Sequence, residues 1–330
     1  MTADADRLQP PTSNLQPPLH ALSTMWSQGR FPSEGHQRGA DDMALFAEAA
    51  ARLGYPHIEI NYVIPPEGVE QLLSSNHVAV ASLHSPTPRI QGADGRWSDA
   101  LNLAALDEDE RAHASRLAQL TVYYADRAGA RFVVLHLGGA GDKMFEEERQ
   151  LRRLYDQGVR DGAEVEALRA RAAERRRREA PRFLEQARRS LTEIAERAAR
   201  RGIGLGLENR YHFHEFPNPD EMHELLAGFP PDVAGFWLDI GHAEVLDRLG
   251  LIDKARWLDD LAPRLIGAHL HDVDGLADHR APGHGSVDWA HVARALPAAA
   301  PRVLEINQTT PEDEVAAAIP FLRQRGILPT

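Results

Sequence analysis

Eight short apolar runs recur along the chain, each followed by a stretch with helical periodicity, and this alternation constrains the fold more than any other feature. The runs are Ala21–Trp26, His57–Tyr62, Val78–Pro86, Arg131–Gly138, Ile203–Arg210, Val233–His242, Leu265–Val273 and Pro301–Thr309. Helical patterns between or after them include Asp42–Leu53, Arg111–Ala128, Arg182–Arg201, Pro219–Gly228, Ile252–Leu261, Trp289–Leu296 and Glu312–Gln324. Gly54, Gly129 and Gly202 follow three of these stretches, where a residue free to turn left-handed closes a helix. Strands that alternate with helices lie parallel and are joined by crossovers. Eight such units predict an α/β chain of the (β/α)8 TIM-barrel class, in which chemistry gathers at the C-terminal strand ends. An open doubly wound sheet competes, but no glycine-rich phosphate loop follows the first run.

One segment breaks the rhythm. Residues 142–181 are charged and helical, and predict an insertion after strand 4, with Pro181 starting or kinking the next helix. Glu and Arg interleave through it, which points to a solvated helical hairpin peripheral to the chemistry; a lid or a subunit contact is the alternative. Residues 1–19 are polar and proline-rich and read as a flexible tail, leaving 20–330 as a single barrel domain. They carry neither a basic start nor an apolar stretch of signal type, so a cytoplasmic location is expected. No apolar run approaches the ~20 residues of a membrane span, so no membrane partner is expected. The 37 basic and 49 acidic residues give a net charge of −12, which argues against a nucleic-acid partner. Homo-oligomerisation stays open.

The chain has no cysteine and 16 histidines, so any metal must be held by imidazole and carboxylate. Residues two apart share a face of a strand. In the fifth run Gly204, Gly206 and Glu208 face the axis; in the sixth, Trp237 and Asp239; in the seventh, Gly267, His269 and His271; in the eighth, Val303, Glu305 and Asn307. His84 and His136 end two earlier runs. Ionisable side chains thus point inward at six strand ends, where an unpaired charge costs several kcal/mol. Arg210 is the nearest cation to three carboxylates, and it shares the face of Glu208, where it could hold a phosphate, a carboxylate or Glu305. A divalent ion resolves the imbalance, and two Glu, one Asp and one His suit Mn²⁺ first, with Zn²⁺, Co²⁺ or Mg²⁺ also open. Glu59 and Asn61 also point inward and are candidates for binding substrate hydroxyls.

Leu207-Glu208-Asn209, Leu238-Asp239-Ile240-Gly241-His242, His269-Leu270-His271-Asp272, Pro282-Gly283-His284-Gly285 and Leu304-Glu305-Ile306, in this order and at strand ends, resemble the xylose-isomerase-like TIM-barrel superfamily. That superfamily holds sugar phosphate isomerases and epimerases, ketose 3-epimerases, inosose dehydratases, hydroxypyruvate isomerases and AP endonucleases. The resemblance runs from Ala21 onward, outside the 142–181 insertion. It implies one divalent metal on Glu208, Asp239, His269 and Glu305, with Glu208 and Glu305 as the acid/base pair. It implies substrate contacts, or a second metal, for His242, His279, His84 and His136, the last two matching histidines that bind further zinc ions in the endonucleases. Those enzymes also carry an Asp two residues before the His279 position; here Ala277 stands there and Asp278 is displaced by one.

The expected function is therefore a metal-dependent isomerase or epimerase acting on a ketose, a sugar phosphate or a related polyol-ketone. Proton abstraction beside the carbonyl would pass through a metal-stabilised enediolate. A dehydratase of the inosose type shares the site, and a multinuclear-metal phosphodiesterase resembling AP endonucleases is the competing chemistry.

Overall fold

Period-two alternation sorts each apolar run into one face for surrounding helices and one for a central axis. The structure, a computed structural model, closes these runs into a barrel. It describes residues 19–32, 41–141 and 143–329; the expected tail, apart from Leu19, lies outside them. The strands are β1 (His20–Ser23), β2 (His57–Ile60), β3 (Ala79–His84), β4 (Phe132–Leu135), β5 (Gly204–Glu208), β6 (Ala234–Asp239), β7 (Leu265–Leu270), a hairpin of β8 (Asp272–Asp274) and β9 (Ala277–Arg280), and β10 (Arg302–Leu304). Eight of them pair in parallel in the order β1-β10-β7-β6-β5-β4-β3-β2, and the β8–β9 hairpin stands outside the barrel. This is the expected (β/α)8 architecture.

The lower part of the axis is apolar. Trp237 is fully buried there among Ala21, Ala81, Val134 and Val303. Gly206 and Gly267 make room for it, since a Cβ at either position would collide with the indole. Removing an indole of ~150–250 Å² from water, at ~25 cal/mol per Å², stabilises this floor by roughly 4–6 kcal/mol. Polar side chains begin one layer above, so the apolar plug fixes the depth at which chemistry can sit.

The helices are α1 (Met43–Arg52), α2 (Pro66–Leu73), α3 (Glu108–Ala128), α4 (Glu146–Asp156), α5 (Ala163–Ala199), α6 (Pro219–Leu226), α7 (Ile240–Arg248), α8 (Trp289–Ala295) and α9 (Glu312–Gln324). Gly129 closes α3 in the left-handed conformation, φ 66°, and Gly54 and Gly202 also have positive φ. No helix among the described residues is long and apolar enough to cross a membrane.

Three expectations change. The run Val233–His242 stops being a strand at Asp239, whose side chain accepts the His242 N–H and caps α7. The helix expected at Ile252–Leu261 accordingly lies earlier, and only a short π-type turn occupies Arg256–Asp260. Pro181 neither starts nor ends a helix: α5 runs through it for 37 residues. A proline inside a helix costs ~3 kcal/mol or more. The buried stripe on both sides of it, including Leu168, Ala172, Leu184, Ala187, Leu191 and Ile194, offsets that loss.

The inserted helices are also more than a solvated pair. Glu148 on α4 is fully buried and accepts from Phe213 N (2.9 Å), His212 Nδ1 (3.0 Å) and Arg152 (Nε 3.0 Å, Nη2 2.8 Å). Arg152 Nη2 also donates to the Tyr211 carbonyl at 3.0 Å. Arg176 on α5 donates to the carbonyls of Phe213 and Glu215 and pairs with Glu221 at 2.5 Å. The insertion thus grips the loop that follows β5.

Candidate metal centre

The mouth of the barrel gathers the inward residues into one cluster. Glu208 ends β5, Asp239 ends β6, His269 lies on β7 and Glu305 follows β10. Each offers a ligand atom, and these atoms lie within 4.8 Å of one another. All four residues are buried. The centre of the group is His269 Nδ1, with Glu305 Oε2 at 3.1 Å, Glu208 Oε1 at 3.2 Å and Asp239 Oδ2 at 3.7 Å. The opposite ring nitrogen, Nε2, donates to Glu59 Oε1 at 3.0 Å, and Glu59 Oε2 accepts from Ser82 Oγ at 2.7 Å. In a neutral ring the Nδ1 lone pair therefore faces three carboxylates. That arrangement repels itself unless a positive charge sits in it.

The titration directions reflect the same demand. Burial pushes the His269 imidazole down, yet Glu305, Glu59 and Glu208 hold it well above its ordinary range. Burial pushes Glu208 and Glu305 up, yet the surrounding histidines keep both well below the usual carboxylate range. Asp239, raised by burial, is held low by His242 and His271. One proton on His269 cannot serve three carboxylates equally, whereas a divalent cation with mixed oxygen and nitrogen ligands can. The donor set fits such an ion.

One further group, His84 with His269 and Glu305, shares two residues with this one, and two others flank it. His84, His136 and Glu208 form the first, with Glu208 Oε2 3.1 Å from His84 Nε2 and 2.7 Å from His136 Nε2. Burial, together with Arg210 and His84, pushes His136 down to about 3, which leaves the ring neutral. Asp239, His242 and His279 form the second. His242 Nδ1 donates to the Asn209 carbonyl at 2.9 Å, so its Nε2 carries the lone pair.

The loops that hold these groups are tied by side chains that strand alternation alone did not single out. Asn209 exchanges two hydrogen bonds with the backbone of Asp239: its Nδ2 donates to the Asp239 carbonyl, and its Oδ1 accepts the Asp239 N–H. His271 Nδ1 accepts the His279 N–H, so its Nε2 bears the proton and donates to both Asp239 oxygens at 3.1 Å. Gly241 leaves space for that ring, which a Cβ would strike. His279 has φ 56°, in the left-handed region that few non-glycine residues adopt, and is held there by His271 and by the Asn307 N–H on its carbonyl. Asp272 holds the 282–289 turn through Gly283 N, Val287 N and Trp289 Nε1.

The structure brings most of the sequence-derived candidates together, with four changes of place. Glu59 has no exposure, and its oxygens are taken by His269 and Ser82, so it stands behind a ligand and does not reach substrate. His84 is 1% exposed and belongs to the ligand cluster, not to an open wall. Arg210 is not free for an anion: it contacts Glu208 (3.4 Å), Glu215 (3.3 Å) and His136. Asp278, displaced by one in sequence, still arrives: it pairs with His279 at 3.0 Å and lies 3.8 Å from His242. The irregular β8–β9 pairing accommodates the shift. Asn61, an early candidate for substrate, donates instead to Glu305 Oε1 at 2.9 Å.

A family model described as a xylose isomerase-like TIM barrel matches residues 47–325. Several solved structures are similar. A D-tagatose 3-epimerase-like protein shares 18% identity over 93% of this chain and 96% of its own, with a TM-score of 0.62. D-Psicose 3-epimerase with D-tagatose, from Clostridium cellulolyticum, shares 14% over 93% and 99%, TM-score 0.58. A Thermus thermophilus protein soaked with ZnCl2 shares 19% over 93% and 97%, TM-score 0.57. At these identities the likeness carries the fold. No curated protein sequence matches the chain.

Proposed function

The chain belongs to the xylose isomerase-like TIM-barrel family, and from that premise we propose that it is a divalent-metal-dependent enzyme that isomerises or epimerises a ketose, a sugar phosphate or a related polyol-ketone. The observation that carries this reading is the convergence of Glu208, Asp239 and Glu305 on His269 Nδ1 at the barrel mouth. These four residues would hold the cation, Mn²⁺ being the first choice. When bound, it supplies positive charge beside a substrate carbonyl and so lowers the cost of removing a neighbouring proton.

The chain's own groups do the rest. Glu208 and Glu305 reach the same point from strands that are not neighbours, since β7 and β6 separate β10 from β5. One takes the proton from carbon; return by the other to the opposite face gives epimerisation, and return to the adjacent carbon gives isomerisation. Asn61 fixes Glu305 by holding Oε1. His242 and His279 border the cluster and offer ring nitrogens to substrate hydroxyls. A base that instead expels a β-hydroxyl would make the enzyme a dehydratase. The printed names of similar structures, a D-tagatose 3-epimerase-like protein and a D-psicose 3-epimerase, support sugar chemistry.

The test is exchange of carbon-bound hydrogen with deuterated solvent across ketoses, inososes and hydroxy-keto acids. The Mn²⁺-loaded enzyme exchanges on at least one, and Glu305→Gln loses ~10²–10⁴ of that rate while remaining folded. Absence of exchange on every compound overturns the reading. The two flanking groups, His84–His136–Glu208 and Asp239–His242–His279, favour a second reading, phosphodiester hydrolysis by two or three ions. Elemental analysis separates the two: one ion per chain supports sugar chemistry, and two or three with cleavage of abasic-site DNA support the hydrolase.

A further inference from the structure

Beside the metal cluster lies a chamber of about 360 Å³. Three of its lining residues also belong to the cluster's surroundings. His136 and Arg210 contact Glu208, and the Tyr62 ring packs on His84 and His136 with centroids 5.0 and 5.6 Å apart. A molecule held at the ligand cluster therefore has this space next to it. The volume lies within the ~300–1,000 Å³ of small-molecule sites and exceeds what the reacting atoms of a ketose require.

We propose that the substrate extends past its reacting carbonyl into this chamber with an uncharged, polyhydroxylated group, such as a glycosyl unit. This rests on the metal-dependent sugar reading and deepens it. Charge decides against a phosphate or carboxylate there. Among the described residues, the lining carries the carboxylates of Asp99 and Glu215 against one cation, Arg210, and contains no lysine. Arg210 divides its guanidinium between Glu208 and Glu215, and Arg89 pairs with Asp99 at 3.3 Å, so neither cation is left free to take an anion. Polar capacity for neutral hydroxyls is nevertheless present. Tyr62, Ser85, Ser98 and Asn102 line it with hydroxyl and amide side chains, the groups that hydrogen-bond neutral hydroxyls. Ala114 and Ala118 of α3 add a small apolar surface suited to the C–H face of a sugar ring.

The experiment titrates three probes calorimetrically into the Mn²⁺-loaded full chain: fructose, fructose 6-phosphate and isomaltulose, a ketose bearing a glucosyl unit. Isomaltulose is expected to bind at least about tenfold more tightly than either of the others. Ala114→Leu, which fills the chamber, should reduce that preference to about threefold or less. Equal or tighter binding of the phosphate, or isomaltulose no tighter than fructose, overturns the proposal from the wild-type protein alone. So does failure of all three to bind. If the binding preference holds but neither these three nor any compound of the ketose, inosose and hydroxy-keto acid panel exchanges hydrogen with solvent, the chamber assignment stands and the proton-transfer reading falls.

Discussion

Glu59→Gln is the sharpest probe of how the cluster is held, because it keeps the shape of a fully buried side chain and removes only its charge. Glu59 accepts from His269 Nε2 at 3.0 Å and from Ser82 Oγ at 2.7 Å. Hydrogen bonds to a charged group contribute ~1.5–3 kcal/mol each. The glutamine amide has one oxygen for two donors, so its NH2 group must face one of them. If it faces His269, the ring must accept at Nε2 and move its proton to Nδ1, the nitrogen that the cation needs. If it faces Ser82, the hydroxyl can rotate, but His269 loses the carboxylate that makes it a better donor of electrons. Both outcomes weaken the same ligand. Losing an outer partner of a ligating histidine typically costs ~10–100-fold in metal affinity, or about 1.4–2.8 kcal/mol. Competition of Mn²⁺ between the protein and a chromophoric chelator reads this directly, with circular dichroism melting to verify the fold. An affinity within about twofold of wild type, in a folded variant, would refute the argument that Glu59 acts through His269.

Three other outcomes are expected. Asp239→Asn should lower metal content per chain by elemental analysis; unchanged content removes Asp239 from the ligand set. Arg176→Met should destabilise the protein by ~3–5 kcal/mol in urea unfolding, because Glu221 is left buried without its cation; a loss under ~1 kcal/mol would mean the α5 contact does not hold the β5 loop. Burial raises the Glu215 carboxyl, but Arg210 and nearby histidines bring it down to about 2. A depressed folded-state value stabilises fully above the ordinary 4.5 and is lost as pH falls from there toward 2. Urea midpoints of Glu215→Gln should thus fall less steeply than those of wild type over that window, and parallel pH profiles would count against the ion pair.

The barrel and the convergence of its four ligand-type residues were legible because both depend on direction alone. Period-two alternation states which way a strand residue points, and Glu208, Asp239, His269 and Glu305 need only to point inward at strand ends to meet. Depth along the axis is different. Glu59 and His269 both point inward, and nothing in the alternation shows that one stands behind the other; their contact above the Trp237 floor decides that. Asp239 hid a boundary in the same way, since one carboxylate both ends β6 and caps α7 with no polar break between them. Glu148 and Arg176 were invisible for a further reason. In a segment where Glu and Arg interleave at helical spacing, a buried pair reads like every exposed one, and only packing against the 211–216 loop distinguishes them.

That packing changes what the insertion is for. Strand ends deliver the four ligand-type residues on rigid backbone, and the apolar floor fixes their height, so the cluster needs no help from outside the barrel. Arg210 and Glu215 are in another position, because they follow β5 on a loop that, among the described residues, no strand pairing restrains except the isolated bridge of Gly139 with Glu215. Three side chains from α4 and α5 supply the restraint. Glu148 takes the Phe213 N–H, Arg152 the Tyr211 carbonyl, and Arg176 the carbonyls of Phe213 and Glu215. Burying Glu148 and Arg176 carries a desolvation cost of several kcal/mol per ion, which a solvated hairpin would have no reason to bear. The cost is intelligible if the loop's geometry matters. The ion pair it carries lines the chamber that adjoins the ligand cluster, so a change in α4 or α5 reaches that chamber without touching any of the four ligand-type residues.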